Sequence, residues 1–241
     1  MSQISKSAEI RKAGEPSDAD MEAINAQAIE PLAPGDVFCF RVAMCDTRLD
    51  RDFERFSDSA LDQMAALFVG KTVVKDHRHL SDNQVARIYE AHVEDMGGYR
   101  ALVGSVYMLD NEANAGLIAD IKGGIRREVS VGVALESAVC SICGENNAKR
   151  YCSHLNGREY DGKTCTFELS DVVDAYELSF VAVPAQRGAG VVKSYLGEPY
   201  RCGAPEGDAA ECPTDGAPGR RDAELETRLR AGEAWVFSHR E

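Results

Sequence analysis

Half of the eight cysteines of this 241-residue chain, with one of its five histidines, fall between residues 140 and 165. The run is Cys140-Ser-Ile-Cys143-Gly, then Cys152-Ser-His154, then Cys165. A Cys-x2-Cys pair sets two thiolates on one tight turn, which clasps a tetrahedral zinc, and a second ligand pair closes the site. The set read from spacing is Cys140, Cys143, Cys152 and His154, with Cys165 as a substitute for either of the last two. Three sulfurs and an imidazole leave no position for water, so the expectation is a structural Zn2+ rather than a catalytic one. Few apolar residues separate the ligands, so the metal has to supply much of the local folding energy. Cys39, Cys45, Cys202 and Cys212 show no such spacing.

Two strand-like segments flank the cluster. Before it, Val129, Val131, Val133 and Leu135 alternate as one face of a strand, which leaves Ser130 and Gly132 on the other. After it, Glu177 stands in Tyr-Glu-Leu-Ser-Phe-Val-Ala-Val-Pro, an apolar setting in which a carboxylate is out of place. A serine on a polar strand face is ordinarily a solvated hydroxyl. It becomes a nucleophile only beside a base that a third group orients. With His154 a ligand and His239 near the end of the chain, the candidate bases are His77, His79 and His92.

The elements that would position these residues can be read in outline. Residues 1–34 are polar, end in Pro-Leu-Ala-Pro-Gly, and read as a flexible N-terminal arm, although residues 21–29 could make a short helix. Phe38, Phe40, Val42 and Met44 alternate as in a half-buried strand. Ser57 can cap a helix carrying Ala60, Leu61, Met64, Ala65 and Phe68 and stopping at Gly70. Strands are expected over 72–75, 85–93 and 102–109, and a helix capped by Asp110 that ends at Gly123-Gly124. The mixture defines an α+β domain over 35–194, with the zinc knuckle as an insertion at 138–168. Residues 195–241 read as an acidic, Gly/Pro-rich tail.

The net charge of −13 argues against nucleic acid as the principal partner, because phosphate binding needs clustered Lys and Arg. No apolar run approaches the roughly 18 residues of a membrane span. The N-terminus has no h-region, so cytosolic residence with reduced thiols is the expectation.

Five segments, in order, carry a resemblance. They are residues 46–57 (DTRLDRDFERFS), 70–77 (GKTVVKDH), 85–88 (VARI), 128–133 (EVSVGV) and 177–185 (ELSFVAVPA). Over residues 37–192 the chain resembles the prohead (capsid maturation) serine proteases of tailed phages. The resemblance implies a catalytic triad of His77, Ser130 and Glu177, and a β-barrel-like, mostly antiparallel sheet flanked by helices, similar to the herpesvirus assemblins. Arg78 stands where an acidic residue is common in that family, and His79 follows as a second candidate base. It further implies cleavage of scaffold and major capsid proteins, with self-cleavage in the arm or tail, in the host cytoplasm inside an assembling procapsid. Oligomerisation is left open. The alternative expectation is a catalytically silent assembly module that binds proteins through the zinc loop. A third is that the metal site is itself catalytic.

Overall fold

Ser17 accepts from the backbone N–H of Asp20 while the Asp20 carboxylate accepts from the N–H of Ser17, a reciprocal cap. The computed structural model describes residues 16–186 and 188–192. The cap starts helix α1, Asp18–Asn25, whose Met21 and Ile24 are buried against Val37, Cys39, Tyr89 and Tyr107. Residues 16–34 therefore depart from the expected arm, because two apolar side chains one helical turn apart are enough to dock them. Residues 1–15 and the tail expected at 195–241 lie outside the described residues.

Strand β1, Val37–Asp46, follows. Phe38, Phe40, Val42 and Met44 enter the main core as their alternation predicts. The opposite face is buried too, because α1 covers Val37 and Cys39. β2, Glu54–Phe56, leads into α2, Asp58–Phe68, where the Ser57 hydroxyl accepts from the N–H of Ala60. Leu61, Met64 and Phe68 of α2 are fully buried. β3, Thr72–Lys75, β4, Ala86–Asp95, and β5, Arg100–Leu109, come next. Helix α3, Ala115–Lys122, starts later than Asp110 because Asn114 folds back onto Asn111 and the Leu109 carbonyl. It buries Ile118 and Ile121.

β6, Val129–Cys140, and β9, Phe167–Phe180, form one long antiparallel pair from Val129 opposite Phe180 to Cys140 opposite Phe167. The cysteine-rich loop between them carries the short hairpin β7, Glu159–Tyr160, and β8, Lys163–Thr164. The knuckle is thus the tip of a hairpin whose arms carry Ser130 and Glu177. β2 and β3 share the other edge of β9, both parallel to it. Beyond β3 the sheet continues antiparallel through β4, β5 and β1 to β10, Gly190–Val191.

The fold is α+β with a mostly antiparallel sheet flanked by three helices among the described residues. The sheet is not closed into the barrel that the resemblance implies. Its closing seam, where the start of β6 meets β10, is a single bridge from Glu128 to Gly190, and β10 is too short to extend it into a ladder.

Candidate functional site

The turn after β3 places the first histidine. Asp76 and His77 both lie in the left-handed region, at φ 55° and 51°, where a non-glycine residue costs on the order of 1 kcal/mol. Hydrogen bonds hold them there. The N–H of Asp76 donates to the Phe180 carbonyl at 2.9 Å, and that of His77 donates to Ser179 Oγ at 2.8 Å. Asn83 braces the same turn by donating to the carbonyls of Lys75 and Arg78. The strained turn aims the imidazole at β9, where His77 Nδ1 lies 2.7 Å from Glu177 Oε1. An ionised carboxylate only accepts, so in the tautomer that donates to it the proton sits on Nδ1 and Nε2 faces away as an acceptor.

Glu177 is only 2% exposed, and its Oε2 has no hydrogen-bond partner among the described residues. Burying half a carboxylate unsatisfied is costly, and such cost concentrates where a charge is used. Room for the carboxylate comes from Gly132, directly opposite on β6, because a Cβ there would run into Glu177 Oε1. His79 Nε2 approaches the same oxygen at 3.8 Å, and its ring lies 6.5 Å from that of Tyr176.

Ser130 is half-buried, opposite Ser179 and on the same face of the sheet as Gly132 and Glu177. Directly opposed residues have Cβ atoms about 5 Å apart, so Ser130 stands beside the serine that fixes the His77 backbone. Its hydroxyl makes no hydrogen bond among the described residues. The fold therefore bonds His77 to Glu177 and brings Ser130 to their neighbourhood without joining it to them. His92 is elsewhere, with Nε2 2.8 Å from Glu94 Oε1, which also pairs with Arg41. Ser179 and Gly132 were legible only as small residues. Alternation places Gly132 on the face of Ser130, and the same rule applied to the later strand puts Ser179 on the face of Glu177.

At the other end of the hairpin, the candidate ligand atoms of Cys140, Cys143, Cys152 and His154 all lie within 4.8 Å of one another. Cys140 is the last residue of β6, and the turn after it is closed by the Gly144 N–H donating to the Cys140 carbonyl. Burial pushes the Cys140 thiol up. The amides of Cys143 and Ile142 and the neighbouring sulfurs outweigh this and hold it below the ordinary thiol range. Cys165 Sγ lies 3.8 Å from Cys140 Sγ, and burial with the charge of the other thiols pushes Cys165 up to about 12. His154 packs edge-on against Tyr160, and its buried Nδ1 has no partner among the described residues. A donor set of three sulfurs with an orphaned imidazole nitrogen fits a tetrahedral metal ion.

The knuckle also grips the loop before β2. Asn156 donates to the Asp52 carbonyl and to Glu54 Oε1. Phe53, at φ 59°, lays its ring where a Cβ on Gly157 would sit. Burial pushes the Asp50 carboxyl up to about 6 and, with the charge of Asp50, that of Glu54 up to about 7. Neither carboxylate stood out in the sequence as more than part of a charged turn.

Compared with family models, with curated proteins and with solved structures, the chain finds no match. Among the described residues no helix is long and apolar enough to cross a membrane.

Proposed function

We propose that this chain is a serine endopeptidase of the capsid-maturation kind, in which His77 is the base, Glu177 orients it and Ser130 is the nucleophile. The observation that carries the reading is the 2.7 Å contact between His77 Nδ1 and a buried carboxylate, set on a strained turn beside a serine-bearing strand. The resemblance in sequence supplies the substrate class, which is scaffold and major capsid protein cut inside an assembling procapsid, with self-cleavage at the chain's own ends.

In the reaction Ser130 Oγ attacks the peptide carbonyl carbon and His77 Nε2 takes its proton. The imidazolium is held in place and stabilised by Glu177, then protonates the leaving amine. Water repeats the sequence to release the acyl group. The distance from Ser130 to His77 closes when substrate is seated, as catalytic hydrogen bonds often do. The cysteine knuckle holds a structural Zn2+, which supplies the cross-links that fold the loop.

A second reading, an assembly module that has the fold without the chemistry, is favoured by the unbonded Ser130 hydroxyl. Mass spectrometry of particles assembled with Ser130→Ala decides between them. The protease reading expects uncut scaffold and coat protein. Normal processing by this variant sinks it.

A further inference from the structure

A tetrahedral ion takes four ligands, and this knuckle offers five donors. With a Zn–S bond of about 2.3 Å, two sulfurs of one tetrahedron are about 3.8 Å apart. That is the separation of Cys140 Sγ and Cys165 Sγ. Cys165 is fully buried and packs with Cys140, Phe167 and Cys152 in a small cluster apart from the main core. The His154 ligand atom lies within 4.8 Å of the sulfurs of Cys140, Cys143 and Cys152.

Both contenders for the fourth position are mounted on one locked unit. The N–H of Cys165 donates to the Arg158 carbonyl at 2.7 Å, and its own carbonyl accepts from Gly157 at 2.9 Å. The N–H of Leu155, next to His154, donates to the Tyr160 hydroxyl at 3.0 Å. Residues 154–165 are therefore tied together, with His154 presented to the sulfurs of Cys140, Cys143 and Cys152 and Cys165 presented to that of Cys140.

We propose that the metal centre has a reserve ligand: Cys140, Cys143 and Cys152 hold the ion, and His154 and Cys165 compete for the fourth position. In the exchange a Zn–N bond breaks as a Zn–S bond forms, and the Cys165 thiol proton passes to the freed imidazole or to water. The sulfur-only form carries one more negative charge, so the two forms differ in the field they present at the hairpin tip. This rests on the reading that the cluster binds metal and is independent of the protease assignment.

The test uses the full chain and its variants His154→Ala, Cys165→Ala and the double variant, each loaded with zinc and, separately, with cobalt(II). Zinc is measured by elemental analysis after dialysis. Cobalt reports the number of bound thiolates through its near-ultraviolet sulfur-to-metal absorption, and tetrahedral geometry through its visible bands. Both single variants are expected to keep stoichiometric zinc, His154→Ala with cobalt sulfur absorption at the four-thiolate level and Cys165→Ala at the three-thiolate level. The double variant is expected to lose the metal. Loss of zinc from either single variant overturns the proposal, because that residue is then the sole fourth ligand. Retention by the double variant overturns it as well. Wild-type chain that takes up neither metal removes the metal reading and this proposal together, an outcome distinct from both. Far-ultraviolet circular dichroism on each variant separates ligand loss from unfolding of the sheet.

Discussion

The missing side chain at Gly132 is what allows Glu177 to lie buried against β6 with one oxygen on His77. A methyl group there has no space that the carboxylate does not already fill. Gly132→Ala is therefore expected to destabilise the fold by about 1–3 kcal/mol, the usual cost of overpacking, and to push Glu177 off His77. Thermal unfolding reads the first effect, and the nitrogen chemical shifts of the His77 ring read the second. An unchanged imidazole spectrum would show that the carboxylate has another place to go. Ser179 is as closely tied to the histidine, through the backbone rather than the ring. Its hydroxyl accepts from the His77 N–H and so helps keep an unfavourable φ.

Elements differ in how openly the sequence declared them. α2 was legible because its Ser57 cap and its buried Leu61, Met64 and Phe68 follow helical spacing. β1 and the first half of β6 were legible through strict alternation. β9 was recognised only in its second half. Its core residues Leu169, Val172, Ala175 and Leu178 recur every third position, a period that belongs to neither strand nor helix. Two register shifts in the pairing with β6 cause this, leaving Tyr176 and Val173 as extra residues on β9. The first adjoins Glu177, so the irregularity that hid the strand lies at the site. Likewise α1 was missed as a docked helix because two apolar residues are a faint signal beside a polar run. The cysteine set needed no fold to be seen, since ligand spacing is local. The bond between His77 and Glu177 did need one, because the residues meet only through the parallel pairing of β3 with β9.

Hydrogen exchange tests the grip of the knuckle on the β1–β2 loop. Stripping metal with a chelator is expected to speed hydrogen exchange in residues 141–166 and also in 50–56, which Asn156 and the Phe167 N–H hold. β1, β4 and β5 should exchange as before. Protection of 50–56 that survives metal removal would mean the loop is held by its own turn alone.

For the whole molecule, the distance between the two candidate sites matters most. Ten residues of β6 separate Ser130 from Cys140, which at about 3.3 Å per residue is roughly 30 Å of strand. A metal in the knuckle could not touch a group held at Ser130, which disfavours a catalytic metal site acting together with the His77–Glu177 pair. Global stability should carry a signature of the buried carboxylates. Burial raises Glu54 from its ordinary 4.5 to about 7, so between these values the folded chain binds more protons than the unfolded one. Stability must then fall as pH rises through about 7 and recover as pH drops toward 4.5. The melting temperature of wild type is expected to rise from pH 8 to pH 6 more than that of Glu54→Gln. Parallel pH profiles for the two proteins would remove Glu54 as the cause.

The hairpin with a metal loop at its tip also divides the covalent chain in an unusual place. His77 and Ser130 lie before the loop and Glu177 after it. Cys140 and Cys143 come from the first half, and Cys152, His154 and Cys165 from the second. Lys149 and Arg150 are exposed between them. A single tryptic cut there yields two fragments, one carrying His77 and Ser130 and the other Glu177. They remain joined by the β6–β9 ladder and, when a metal is bound, by one shared ion. With zinc present the nicked protein is expected to elute as an intact unit in gel filtration, and with chelator its halves should separate more readily. If the fragments are equally inseparable in both conditions, the ladder alone holds them. Otherwise a metal bound at the tip acts as a removable splice between the two halves of the hairpin.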